Sequence, residues 1–557
     1  MSRSRSATLL CLLVVVSAAV ALRVWALDVG LPNVAARPDE REMLRHTAGF
    51  AQGDLNPRWF VYPNFFLYAV WLWEEAVLWV RHLWIETPSY AVMLQLGLPR
   101  LLLYGRAFSA LVGSATVLLV FAIGRRLGGT SLGLVAAALL AVNWLHVRDS
   151  HALKTEPLLA AAVVWSVWRL ARFVETPGPR RAALAGVAIG IATACKYPGI
   201  FLLGPAWVAS ALVSPRPGWR RWLPTGQLVL IASVTLATFL AACPYIVLDY
   251  ARTLDTASFL GVALYANRPE HAAAPDTGTL GALRAWLGSR ALGYHVTVSL
   301  RWGCGLAFAL ATPLALIVTT RTGRPFFILA TAFSGLWLAI AGLSPVHLAR
   351  YFTPLVPTLC LCVAAWVVEL ARHPPAKVRP SVLAAVTLLL CAEPLARSVA
   401  ANRVGAETDT RVLATEWMAK NLPRTAVVAQ LGSAIIPLLG DPELPPGVKR
   451  VLPAPGETDL DHLHATHVTT HEHVLPFSRL DPAQMTALAP RLQQLAEFSP
   501  WRDGPAGEFE REDAYYVPFY DFAGVVRPGP LVRVYAVRTP PVAVERTSVT
   551  DRPLSAD

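Results

Sequence analysis

The chain has 557 residues, of which 54% are hydrophobic and only 15% charged, a balance that excludes a large soluble enzyme and leaves a polytopic membrane protein. A formal charge of +12 would suit a nucleic-acid partner, but many arginines fall in short clusters between apolar segments, where they report topology. All seven cysteines lie in or at the ends of apolar segments, which excludes a disulfide framework and offers no zinc spacing.

Arg3 and Arg5 precede an apolar stretch at 7–27 that exceeds a signal-peptide core and lacks a small-residue cleavage site, so it reads as an uncleaved anchor with a cytoplasmic N-terminus. The aromatic stretch 60–82 carries Glu74-Glu75 near its middle and is expected as interfacial helices within a first outer loop, 28–100. Spans follow around 101–123, 131–147, 157–174, 182–196, 198–213, 226–243, 303–320, 326–343, 352–371 and 380–397, making about eleven with the anchor. The intervening cytoplasmic turns then carry Arg125-Arg126, Arg180-Arg181, Arg220-Arg221, Arg321 with Arg324, and Arg372 with Lys377 and Arg379, each obeying the positive-inside rule. The outer side holds the loops 28–100, 148–156 and 244–302, the turn 344–351 and everything after about 398. In that last region the run from Thr410 has helical spacing stopped by Pro423, while Thr425–Gln430 and Pro530–Val537 read as strands. The expectation is a helical membrane domain over 1–398 and a small extracytoplasmic α/β domain over 399–557.

The unusual polar residues gather on that outer side. Asp39-Glu40 follows Pro38 at a position suited to open a helix, where the helix dipole keeps a carboxylate ionised, as a general base must be; taken alone, the pair fits an ordinary N-terminal cap in a solvated loop better. The loop Arg148-Asp149-Ser150-His151 through Lys154 to Glu156 packs ionisable groups into nine residues at a membrane interface, a cost that either a site or an ion-pair cluster repays. Arg106, Lys196 and Arg350, the last followed by Tyr351, sit at outer helix ends, placed to grip a phosphate or to snorkel to headgroups. The run His462, His464, His467, His471 and His473 can be read as metal ligands or as one strand edge, with no Cys or H-E-x-x-H pattern beside it.

Together, Arg-Pro-Asp39-Glu40, the Ser150-His151-x-x-Lys154-Thr-Glu156 loop, Ala-Cys-Lys196-Tyr-Pro-Gly and His347-x-x-Arg350-Tyr351-x-x-Pro354 resemble the GT-C superfamily, and within it the protein mannosyltransferase and aminoarabinose lipid A transferase group, glycosyltransferase family 39 and its relatives. Asp409-Thr-Arg411, Trp417, Asn421-Leu-Pro423 and Arg527-Pro-Gly-Pro530 resemble the outer domain of bacterial members. The resemblance implies transfer of a sugar, with inversion, from a polyprenyl-phosphate donor to an acceptor hydroxyl of a protein, lipid or glycan, in a bacterial inner membrane and on its extracytoplasmic side. Asp39 would be the base with Glu40 supporting it, and Glu156 stands where relatives usually carry an aspartate. Arg106, Lys196 and Arg350, with His151, Lys154 and Tyr351, would bind the lipid phosphate. The resemblance leaves open a divalent ion between carboxylates and phosphate and implies no other cofactor.

Two other classes compete. A transporter or flippase would place ionisable sites near the bilayer midplane, whereas Arg106, Glu156, Lys196 and Glu393 lie toward outer helix ends. A non-catalytic, glycan-binding assembly protein would depend on the region after 400 and not on the acids.

Overall fold

The computed structural model describes residues 2–256, 290–342, 347–432, 447–454, 456–475, 478, 480–510 and 513–538, so the expected loop 244–302 and turn 344–351 fall partly outside the described residues. The chain forms two compact units, one of residues 1–409 with 501–529 and one of 410–500 with 530–557. This differs from the expected division at 398/399: residues 501–529 return to the first unit.

The first unit is helical: α1 (Ser2–Val24), α2 (Pro38–Arg45), α3 (Phe65–His82), α4 (Tyr90–Leu96), α5 (Leu98–Gly128), α6 (Thr130–Val142), α7 (Trp144–Ser150), α8 (Glu156–Glu175) and α9 (Pro179–Cys195) lead into later helices that include Val356–Leu370 and Arg379–Gly405. Among the described residues, six helices are long and apolar enough to cross a membrane, or eight if each of two bent pairs is one span. Shorter apolar helices cover Tyr197–Val213 and Pro325–Ala341. α3, with Glu74, Glu75 and Arg81, is not among the candidate spans.

The bend between α6 and α7 positions much of the polar chemistry. The two helices meet at 60°, and the Asn143 side chain at the break accepts from the His146 amide to cap α7. Breaking a helix in an apolar interior orphans the last carbonyls of its first half, and water is absent to satisfy them. Here buried Arg23 donates to the carbonyls of Leu140 and Ala141 at 3.1 and 2.9 Å, and Ser398 Oγ donates to that of Val142 at 3.2 Å. Gly113 of α5 lets the end of α7 lie against it, since a Cβ there would overlap Ser150 Oγ. The result is a bent segment that turns Arg148, Asp149 and Ser150 inward, with Asp149 and Ser150 fully buried.

The returning segment 501–529 packs by aromatic contacts and arginines. Phe519 and Phe522 lie against Trp144 at 6.2 and 6.0 Å between ring centroids, and Arg397 donates to the Tyr520 carbonyl at 2.7 Å. Tyr515 and Tyr516 both adopt positive φ, 45° and 64°, in the tight turn that follows Asp513.

The second unit holds, among the described residues, a five-stranded sheet in the order β2-β1-β3-β5-β4, with β1 Val427–Leu431, β2 Lys449–Val451, β3 His467–Glu472, β4 Leu492–Phe498 and β5 Leu531–Val537. β1 pairs in parallel with β2 and β3, whereas β5 runs antiparallel to β3 and β4. The helix Thr410–Asn421 covers one face through Ala414 and Met418 against Val428, Val532 and Val534.

Candidate active site

Four elements of the first unit bring charged side chains together. Asp39 and Glu40 share the first turn of α2, where Pro38 presets the helical φ and removes an amide that would otherwise be unsatisfied. Glu156 opens α8 in the same way, followed by Pro157. Lys196 caps the end of α9, where Tyr197-Pro198 turns the chain into a 3-10 segment. Arg350 and Tyr351 lie in the 3-10 turn Ala349–Leu355 that leads into Val356–Leu370.

The two neighbouring acids have different surroundings. Glu40 is 1% exposed; Arg106 reaches it through Nε at 3.1 Å and a second nitrogen at 2.6 Å, and the Leu153 amide donates to it at 2.9 Å. Burial pushes the Glu40 carboxyl up, but the charges of Arg106 and then Arg37 more than offset this and hold it below the usual carboxylate range. Arg106 also donates to the carbonyls of Leu27 and Val29 at 3.0 and 2.9 Å. The structure therefore directs Arg106, which the sequence offered as a phosphate ligand, wholly toward protein acceptors. It ties the first loop to α5.

Asp39 is open. Its side chain is 40% exposed, and Oδ2 lies 3.2 Å from a terminal nitrogen of Arg350. Arg350 is the hub: the same nitrogen lies 3.4 Å from Asp513, and its Nε is 3.9 Å from Glu156. Glu156 pairs in turn with Lys196 at 2.6 Å, and the Lys196 ammonium stands over the rings of Tyr351 and Tyr62 at 5.1 and 5.5 Å. On the other side, Asp513 accepts from Arg148 and lies 3.5 Å from Lys154, which approaches Asp149 at 3.9 Å. Asp149 accepts from Thr353 Oγ at 2.5 Å, joining the loop to the turn that carries Arg350.

Asp513 was not marked by any sequence motif. It is buried, and Arg148, Lys154 and Arg350 outweigh the cost of burial and hold its carboxyl below the ordinary range. Burial pulls the Lys154 ammonium below the usual lysine range despite Asp513. His151, a second expected phosphate ligand, is turned elsewhere: its Nε2 lies 2.9 Å from the Trp25 carbonyl, and burial together with Arg37 lowers its pKa to about 3, so the ring is neutral.

A pocket of about 300 Å³ opens beside this network. One end is polar, formed by Glu156, Lys196, Arg350 and Tyr351, and the rest is apolar, with Leu159, Phe201, Trp337 and Ile340 among its walls. The buried Nε of Arg350 has no hydrogen-bond acceptor among the described residues, an unmet donor at the polar end. An apolar slot that terminates in two cations suits an amphiphile with an anionic head.

In the histidine run, His467 and His471 lie on β3, where His471 is buried and its pKa falls to about 4 through burial and Arg411. Among the described residues no group of three or more His, Cys, Asp or Glu side chains is placed to hold a metal ion.

The family described as dolichyl-phosphate-mannose-protein mannosyltransferase matches residues 102–246, from α5 through α9 to the span that ends at Ala242. No curated protein matches the chain by sequence. Among solved structures, ArnT from Cupriavidus metallidurans bound to undecaprenyl phosphate is similar over 97% of this chain and 100% of its own, at 15% identity and a TM-score of 0.52. The same protein in its apo state is similar over 94% and 98%, at 15% identity and a TM-score of 0.50. The chain therefore shares the fold of these membrane proteins along nearly its whole length, and the mannosyltransferase family model matches its central helices.

Proposed function

We propose that the chain transfers a sugar from a polyprenyl-phosphate donor to a hydroxyl of a protein, lipid or glycan on the extracytoplasmic face of a bacterial inner membrane, with Asp39 as general base. The observation that carries this reading is the partly exposed Asp39 carboxylate paired with Arg350, an arginine that with Lys196 lines the polar end of an otherwise apolar pocket. The polyprenyl chain occupies the apolar slot, and its phosphate sits on Lys196 and Arg350, filling the unmet Nε donor. Asp39 takes the acceptor's hydroxyl proton as the oxygen attacks the anomeric carbon from the face opposite the phosphate. The bond from that carbon to the phosphate oxygen breaks, the configuration inverts, and the departing charge is held by the two cations. A phosphate leaving group requires little protonation, so one base and a cationic cradle suffice. Glu40 serves by fixing the first loop to Arg106, and Glu156 by orienting Lys196. Arg148, Lys154 and Asp513 hold Arg350 in place from behind.

The topology that goes with this reading has about eleven spans, a cytoplasmic N-terminus and the region after residue 398 outside. The test is transfer by purified protein from a panel of radiolabelled polyprenyl-phosphate sugars, comparing wild type with Asp39→Asn. Product from the wild type and none from a folded variant supports the reading. Equal product from both removes Asp39 as the base, and uptake into proteoliposomes without covalent product turns the reading to transport.

A further inference from the structure

A second cationic site lies away from the donor pocket and shares no lining residue with it. At the Asp39 end of α1, a groove of about 620 Å³ is lined by Arg403, Arg502 and Arg527, with Glu407 as its carboxylate and Trp25 at its edge. The same Trp25 ends a second depression of about 520 Å³ that runs along α1 over Val16, Val20 and Val24. Val20, Val24 and Trp25 are 41%, 54% and 39% exposed, so this face of α1 is turned outward.

The three arginines come from two separate stretches. Arg403 stands in the last turn of Arg379–Gly405, while Arg502 and Arg527 flank the ends of the returning segment. The side chains of Arg403 and Arg502 have neither a hydrogen bond nor an ion pair among the described residues, and Arg527 gives one bond, to the Thr408 carbonyl at 3.2 Å. Arginines that merely filled the interface would be expected to find carboxylates or carbonyls; these face one groove with a single carboxylate among them. Guanidinium groups match phosphate oxygens in pairs, and a tryptophan between an apolar stripe and a cationic patch is the arrangement that marks headgroup depth in a bilayer.

We infer that this groove binds one anionic phospholipid, its phosphate held by Arg403, Arg502 and Arg527 and its acyl chain lying along Val16, Val20 and Val24 beneath Trp25. The continuity of the apolar stripe with the cationic groove through a shared residue selects a membrane lipid over a soluble phosphate. Such a lipid bridges α1, which leads into the Asp39 loop, to the returning segment that carries Asp513.

The experiment is native mass spectrometry of the full-length protein extracted from vesicles of phosphatidylcholine and phosphatidylglycerol in equal parts. Phosphatidylglycerol should remain on the wild type in preference to phosphatidylcholine. Arg502→Gln with Arg527→Gln should lower that occupancy about tenfold or more, because each guanidinium lost removes a charge-assisted bond. Trp25→Ala should lower it severalfold, while Lys196→Gln in the donor pocket should leave it unchanged. Equal retention of both lipids, or unchanged retention by the double variant at undiminished thermal stability, overturns the inference. So does loss of the lipid on Lys196→Gln, which would place it in the donor pocket. Displacement by glycerol phosphate in solution would show that the headgroup binds without the chain, and would overturn the lipid assignment.

Discussion

Asp39 and Glu40 are consecutive carboxylates on one helical turn, yet one is nearly half exposed beside a single arginine and the other is sealed against three donors. Glu40 with Arg106 is a closed pair: both side chains are essentially inaccessible, and every bond joins the first loop to α5 and the second loop. Asp39 with Arg350 is an open pair in which the acid faces solvent and the arginine keeps a buried donor unmet. The contrast teaches that two adjacent carboxylates on one turn can differ widely in what the fold leaves open, although their local sequence setting is nearly the same.

The sharpest way to break the comparison is to neutralise each acid without changing its shape. Asp39→Asn should lower transfer by about 10²–10⁴-fold, the scale of a lost general base, while leaving thermal stability within about 0.5 kcal/mol. Glu40→Gln should do the reverse. It leaves Arg106 charged and buried, which costs about 3–5 kcal/mol and is read as loss of folded protein on extraction or a steep fall in melting temperature. A Glu40→Leu, Arg106→Met double variant sharpens the contrast: it should recover part of that stability, with the Leu27 and Val29 carbonyls still lacking their donor. No companion change at Arg350 should recover the activity of Asp39→Asn.

A smaller effect separates binding from chemistry. Lys196→Gln should raise the KM for the polyprenyl-phosphate sugar about tenfold, the loss of one charge-assisted contact, and titration with donor at saturating acceptor would show it. If kcat falls instead with KM unchanged, Lys196 acts on the transition state alone.

The smallest effect is a pH dependence. His151 is kept neutral with a pKa of about 3 against 6.5 for a free imidazole, so between those values the unfolded chain binds a proton that the folded chain refuses. Stability should therefore fall as pH drops through that window, by at most about 1.4 kcal/mol per pH unit, and His151→Gln should flatten that share of the slope. The depressed carboxyls of Asp513 and Glu40 contribute stability that is fully present above the unfolded carboxylate range and lost below it. Between pH 6.5 and pH 5, His471 and His473, also depressed by burial, act in the same sense, whereas Glu74, whose carboxyl burial pushes well up, acts in the opposite one, so the difference between wild type and His151→Gln is what reads the His151 share.

Much of the site was legible because membrane chemistry makes charge conspicuous. Asp39, Glu156, Lys196 and Arg350 stood out at the ends of apolar segments, and the structure brings these four into one linked set. Asp513 gave no such signal: it lies in a polar stretch beyond most of the second unit's strands, where an acid is unremarkable, and only the return of 501–529 to the helical unit brings it to Arg350. Arg23 was unreadable for a related reason. An arginine near the end of an anchor reads as an interfacial charge, but the bend at Asn143 creates the orphan carbonyls that it serves. Arg106 and His151 were visible as polar groups, yet whether their donors pointed into a pocket or at carbonyls depended on packing.

The sequence by itself determined that the chain is a helical membrane protein, that its chemistry-bearing acids and cations cluster at helix ends, and that a helix and strands follow in the later region. These are consequences of hydropathy, proline and charge, which act over a few residues and can be read locally. Only the tertiary structure decided which acid is sealed and which is open, that a distant aspartate completes the Arg350 hub, and that three arginines from two stretches share one groove. Pairing and burial are settled between segments far apart in the chain, and the free energy of a charge depends on the partners that the fold delivers to it.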